Sequence, residues 1–230
     1  MKRNTSVRGL YIGIAVILLW SLSLAWNLWR PLDFASPLTY LMILVQTHLF
    51  TGLFITAHDA MHGSVHPNLK INNALGRICT TLFIFNSYQT LRPKHYEHHR
   101  FVGTDKDPDF HKGSAGFWPW YYSFLREYIS WKQLLLAAIT FNVAAIWISQ
   151  PHLILYWVVP SLLSTLQLFY FGTYVPHMGE HDPDNVHKAH TLSRNHVWAF
   201  LSCYFFGYHY EHHDAPAMPW WRLWETKEGR

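Results

Sequence analysis

The sequence predicts an all-α, polytopic membrane protein. About four transmembrane helices are expected, with interfacial helices carrying a histidine-rich di-metal site on the cytoplasmic side. Three observations predict this. Long stretches carry no charged residue, basic residues crowd between alternate stretches, and 14 of the 17 histidines fall in four places along the chain. Composition agrees: half of the 230 residues are hydrophobic, 17% are aromatic and only 14% are charged. Such a chain is not disordered, a state that needs low hydrophobicity and high net charge. Two cysteines, Cys79 and Cys203, are too few for a disulfide framework or a thiolate metal cage. A mean hydropathy of -0.01 averages two unlike kinds of segment.

The first apolar stretch, Gly9 to Trp29, is 21 residues without Asp, Glu, Lys or Arg, bracketed by Arg8 and Arg30. Read as a signal peptide it is too long and lacks a small-residue cleavage site before Arg30-Pro31, so it reads as a retained anchor. Leu38 to Ala57 gives another 20, stopping at His58-Asp59. Gln133 to Val175 is 43 charge-free residues, interrupted by Ser149-Gln150-Pro151. That interruption divides it into one span of ~17 and one of ~24, and a bilayer core takes ~17–25. Ile78–Leu91 (14 residues) and Asn195–Tyr210 (16) suit re-entrant, interfacial or protein-buried helices instead. No repeat, low-complexity run or flexible linker divides residues 1–230, which read as a single membrane-embedded domain.

Charge supplies the orientation. With the N-terminus in the cytoplasm, 16 of the 18 Lys and Arg fall inside, Arg30 falls outside and Lys132 sits at a helix edge. The net charge of +4 follows from this bias and is no sign of nucleic-acid binding.

Under this topology all four histidine groups meet at the cytoplasmic face, with both termini. His58 and His62 are spaced i, i+4, which on a helix puts both imidazoles on one face. His95-Tyr96-Glu97-His98-His99 supplies i, i+3 and i+4, and His209-Tyr210-Glu211-His212-His213 repeats it. Eight imidazoles exceed what one ion takes and serve two well; imidazole alone does not choose among Zn, Cu, Fe and Ni. His48, His66, His111, His152 and His196 read as surface or satisfied core residues, although His48 lies inside the second span. The HExxH pattern is missing, because Asp59 follows His58 and Gly63 follows His62. A GxSxG elbow, a P-loop and a dinucleotide GxGxxG are missing too. Metal transport would place ionisable residues along several spans, and here they carry none beyond His48.

At these boxes the chain resembles the membrane fatty-acid desaturase/hydroxylase superfamily, and more narrowly the β-carotene ketolases of the CrtW type. The match is carried by Gly52-Leu-Phe-Ile-Thr-Ala-His-Asp-Ala-Met-His-Gly63 and Gly103-Thr-Asp-Lys-Asp-Pro-Asp-Phe-His111. It continues in Gln167-Leu-Phe-Tyr-Phe-Gly-Thr-Tyr-Val-Pro-His177, Gly207-Tyr-His-Tyr-Glu-His-His213 and Pro219-Trp-Trp-Arg-Leu223. The resemblance implies a non-haem di-iron centre with O2 as co-substrate, ligated by His58, His62, His95, His98, His99, His209, His212 and His213. Histidines at family positions add His177 and His187. It implies hydroxylation twice at C4 of a β-ionone ring and loss of water to a 4-ketone, taking β-carotene through echinenone to canthaxanthin. A fatty-acid desaturase or carotenoid hydroxylase is the neighbouring alternative. The substrate would come from the bilayer lipid. Electrons would come from an external donor, a ferredoxin docking on Arg92, Lys94 and Arg100. Asp105, Asp107 and Asp109 are candidates to hydrogen-bond ligating imidazoles, or else turn residues around Pro108. Glu97 and Glu211 are further candidates for such a supporting role. Aromatic residues at Phe117–Tyr122, with Trp147, Trp157 and Tyr170, line a polyene tunnel or form an interfacial belt. Two positions depart from the family pattern: Phe205, where relatives often have histidine, and Trp224, where they have proline.

Overall fold

The computed structural model describes residues 6–113 and 116–228; Lys2, Arg3 and Arg230 of the charge count lie outside them. Its helices are α1 (Arg8–Trp29), α2 (Pro37–Met61), α3 (Leu69–Leu82), α4 (Tyr88–Phe101), α5 (Phe117–Tyr128) and α6 (Trp131–Ala144). One continuous helix, α7 (Gln150–His177), follows, with π-helical turns at Ile154–Val158 and Tyr170–Tyr174. The chain closes with α8 (His196–Cys203), α9 (His209–Asp214), a 3₁₀ turn (Trp220–Arg222) and α10 (Leu223–Glu228). No strand forms among the described residues.

Three helices, α1, α2 and α7, are long and apolar enough to cross a membrane, not the four expected. The shortfall is α6, which has 14 residues. Ser130 starts it by accepting from the Gln133 N–H, and regular helical bonding gives way after Ala144 to turns that run to Ser149. The protein's flanks suit lipid: Leu18, Leu19, Leu22, Leu41, Leu44, Leu135 and Ile139 are all exposed. So many large apolar side chains exposed along long apolar helices suit lipid and not water. The chain is an integral membrane protein.

Helix α2 is the core. From Phe50 to Met61 all but Phe54 are buried, which is why no polar stripe appears there. Thr47, Thr51 and Thr56 hydroxyls donate to the carbonyls of Ile43, Thr47 and Gly52 on their own helix, so none is left unsatisfied in the interior. Helix α1 runs antiparallel to α2. At its start, Gly9 sits so close to Val65 that a Cβ would overlap its backbone. At its end, Arg30 bonds Tyr156 near the start of α7, and His152 donates Nε2–H to the Arg30 carbonyl (2.9 Å). Consequently α2 and α7 point the same way and finish at the same end of the bundle, at His58 and His177.

The stretch Ile78–Leu91, expected to be re-entrant, interfacial or protein-buried, forms the bend of an α3–α4 hairpin. Phe83 at the bend packs on Phe54 and Phe50, with ring centroids 5.4 and 6.3 Å away. Ile84 and Phe85 take φ of 51° and 55°, a left-handed conformation that is strained for a β-branched or bulky residue. Tyr88 and Tyr96 then tie α4 to the end of α2, donating their hydroxyls to Ala60 O (2.8 Å) and Met61 O (2.7 Å). The second short stretch, Asn195–Tyr210, becomes α8, a turn at Tyr204 and Phe205 with positive φ, and the start of α9.

Candidate di-metal site

Four elements deliver the histidines. His58 stands on the last turn of α2 and His62 just beyond its end, His95, His98 and His99 on α4, His177 on the last turn of α7, and His209, His212 and His213 on α9. Their side-chain nitrogens gather in two sets, His58/His62/His95/His99/His212 and His98/His177/His209/His213, each within 4.8 Å. All nine had been expected as ligands. Nε2 atoms meet at 3.0–3.1 Å for His99–His95, His99–His212, His98–His213 and His213–His209, and at 2.6 Å for His62–His95. Nitrogens about 2.1 Å from one ion and at right angles to each other are ~3 Å apart. The spacing therefore suits two cations, one per set.

Two further observations fit a metal. His58 Nε2 and His177 Nε2 are buried with no hydrogen-bond partner, a costly condition that coordination relieves. Two rings are also fixed from behind, as ligating histidines need. His177 donates Nδ1–H to Lys188 O (2.8 Å), and His98 donates Nδ1–H to Asp107 Oδ1 (2.9 Å).

Burial keeps most of these imidazoles neutral, which is the ligating form. It lowers His99 to about 2, helped by the His98 and His58 charges. Burial likewise holds His62, His95, His209, His212 and His213 well below the usual value. His98 differs: burial pulls it down, but Asp109 and the Asp107 hydrogen bond and charge outweigh that, and it is raised.

Of the expected supporting carboxylates, the structure brings two to the site. Asp107 bonds His98. Asp109 lies 3.7 Å from His98 Nδ1 and accepts the Tyr128 hydroxyl. Asp105, Glu97 and Glu211 do not reach an imidazole. Asp105 is exposed and paired with Lys112 (3.1 Å), because the Thr104–Lys106 turn points it outward. Glu97 is exposed on the outer side of α4, whose other side carries the histidines. Glu211 is buried but turns away, accepting from Thr191 (2.5 Å) and Lys227 (3.1 Å) to fasten α9 to the C-terminal segment. His187 lies outside both histidine sets: its ring is 5.7 Å from His213, and its Nε2 faces Asp214 at 3.5 Å. Its loop holds that ring against Tyr210, 5.0 Å away.

Asp59 is a structural contact that sequence reasoning missed. It is buried beside His58 and accepts the Trp220 N–H (2.9 Å), joining α2 to the Pro219–Leu223 motif. Its position between the two histidines of HxxxH was the available signal. Phe205 stacks on Trp220, packs tilted against Phe200 and Tyr208, and touches none of the nine site imidazoles. Its neighbour Phe206 does, with its ring 4.8 Å from His58 and 5.2 Å from His209. Trp224 packs near His196 on the exterior.

A family model described as fatty acid desaturase matches residues 35–131 and 125–228. The chain is 41% identical over 220 residues to a β-carotene ketolase of Paracoccus sp. (strain PC1), covering 93% of this chain and 90% of that protein. The chain belongs to the fatty acid desaturase family, among its β-carotene ketolases. A β-carotene ketolase of Paracoccus sp. (strain N81106 / MBIC 01143) is 38% identical over 232 residues, covering 98% of this chain and 95% of that protein. A zeaxanthin 4-ketolase of Chlamydomonas reinhardtii is 34% identical over 96% of this chain, which spans 53% of that protein.

An apolar cavity, open to the exterior, leads away from the histidines. His58, His95, His98, His209 and Asp109 line it, together with Phe54, Phe83, Phe124, Leu125 and Leu168. Leu134 and Leu162 also line it and are exposed on the lipid-facing flank, so the cavity opens between α6 and α7. None of the predicted tunnel aromatics lines it. Trp118, Trp147 and Tyr170 are exposed as a belt would be, while Trp120 and Trp157 are buried.

Proposed function

We propose that the chain is an O2-dependent, non-haem di-iron oxygenase that converts the β-ionone ring of carotenoids to its 4-ketone. β-Carotene would pass through echinenone to canthaxanthin. The observation that carries this reading is the placement of two imidazole sets at the closed end of an apolar cavity whose mouth faces lipid. Ligation is assigned to His58, His62, His95, His99 and His212 for one ion and to His98, His177, His209 and His213 for the other. Iron held there supplies O2 activation strong enough to oxidise an unactivated C–H bond. The chain's own residues do the rest. Leu134 and Leu162 admit a hydrocarbon from the bilayer, the aromatic and leucine walls exclude water, and Phe206 closes the space between His58 and His209. Asp107 fixes the tautomer and orientation of His98.

The topology supporting this has four crossings, with the termini and histidines cytoplasmic. The segment 131–148 supplies the fourth. It leaves α5, whose Glu127 pairs with Lys94 of α4 (2.6 Å), and arrives beside Arg30 at the opposite end of the bundle. Reduction by an acidic ferredoxin is assigned to the face bearing Arg92, Lys94 and Arg100. Reversing all three charges should slow turnover and flatten its salt dependence, and unchanged turnover removes that docking face.

Pigment chromatography of a β-carotene-producing host expressing the chain tests the function. A 4-ketone is expected; a ring alcohol points to a carotenoid hydroxylase, and an unaltered polyene to a fatty-acid desaturase. His212→Ala should abolish the ketone and lower bound iron, while His152→Ala, at the far end of the bundle, should do neither.

A further inference from the structure

One polar group on the cavity wall has no use in the chemistry at its histidine end. Gln133, in the first turn of α6, is only 7% exposed and lines the cavity. Its backbone N–H is capped by Ser130 (3.2 Å), but its side-chain amide makes no hydrogen bond to any described residue. The amide is open to the cavity, and once hydrocarbon fills that space an amide without a partner is costly. The nearby Ser161 and Thr165 hydroxyls and the Asn86 carbonyl oxygen are engaged. Ser161 donates to Val158 O (2.7 Å), Thr165 donates to Ser161 O (2.9 Å), and Asn86 Oδ1 accepts the Ser87 N–H (2.8 Å). The cavity is long. Thr165 and Ser161 stand 12 and 16 residues before His177 on α7, so it extends on the order of 20 Å from the histidines.

We propose that the Gln133 carboxamide selects for a conjugated chain, directing its N–H at the π face of a bound polyene. This rests on the carotenoid reading above. With the ring end at the histidines, what passes Gln133 is hydrocarbon, and the only hydrogen-bond acceptor a carotene offers there is its π cloud. A saturated acyl chain, abundant in any bilayer, offers none and leaves the amide buried and unpaired. Gln133 therefore discriminates against the competing lipid at least as much as it attracts the substrate.

The test compares affinities of the whole, iron-loaded protein in phosphatidylcholine nanodiscs for β-carotene and for perhydro-β-carotene, its fully saturated analogue. Quenching of tryptophan fluorescence by β-carotene reads the first affinity, and competition reads the second. In Gln133→Leu, and in the unbranched Gln133→Met, the preference for the conjugated compound should fall about two- to fivefold, the worth of one N–H···π contact. A general packing defect would weaken both ligands alike and leave the ratio unmoved. An unchanged ratio in both folded variants overturns the proposal, as does a wild type that fails to tell the compounds apart. If the wild type binds β-carotene selectively but forms no ketone, the functional reading fails and the selecting role of Gln133 stands.

Discussion

Three aspartates in one short loop have three different fates. Asp107 is buried and holds His98 Nδ1, Asp109 is bonded by Tyr128, and Asp105 is exposed on Lys112. Asp107→Asn presents an amide of the wrong polarity or orientation to His98, and iron affinity should drop about 10–100-fold. Asp105→Asn should leave it unchanged; metal titration of the two variants checks this. Acid should act through the same imidazoles. His62, His95, His99, His209, His212 and His213 are held below their ordinary value by burial, whereas His98 is raised. In the unfolded chain all seven take up protons near pH 6.5. The six depressed groups make the unfolded state bind more protons below that pH, so their contribution is full above it and lost as pH falls. His98 acts with the opposite sign, contributing below pH 6.5 and losing that as pH rises through its own higher value. Asp109, whose carboxyl burial raises, acts in the same direction as His98, and six depressed imidazoles against these two give a net loss on acidification. Metal-depleted protein should melt at a lower temperature at pH 5 than at pH 7, read by a thermal scan in one detergent.

At the scale of the element, the π-helical turn Tyr170–Tyr174 carries the consequence. π-Turns gather at functional sites because they shift the register of everything beyond them. Here the turn precedes His177 and contains Gly172, where a Cβ would overlap the Phe206 ring. That ring packs on His58, His209 and His212. Gly172→Ala should therefore push Phe206 onto the histidines and lower iron content and ketone yield together, with destabilisation of about 1–3 kcal/mol, the usual cost of overpacking. Gly172→Ala paired with Phe206→Leu should recover part of the loss. Iron content per protein, measured for the single and double variants, decides it.

At the scale of the whole molecule, sidedness is testable because both native cysteines, Cys79 and Cys203, are buried. Asp33 and Lys112 are exposed at opposite ends of the bundle. In intact cells, Asp33→Cys should react with a membrane-impermeant maleimide and Lys112→Cys should react only after lysis. The reverse pattern would invert the topology.

The sequence by itself determined the membrane class, the pairing of His58 with His62, and the two HxxHH boxes. These rest on local periodicity and on the absence of charge, which one segment displays without reference to any other. It also revealed that residues Ile78–Leu91 and Asn195–Tyr210 were too short to span. Only the tertiary structure decided which imidazoles lie together, because His99 of α4 meets His212 of α9, 113 positions away. The same holds for the split among Asp105, Asp107 and Asp109, for the turning of Glu211 away from the site, for His187 stopping short of it, and for the shortness of α6. Each depends on where a side chain points once distant helices have packed. Packing is a property of pairs of segments, and a pattern read along one segment does not contain it.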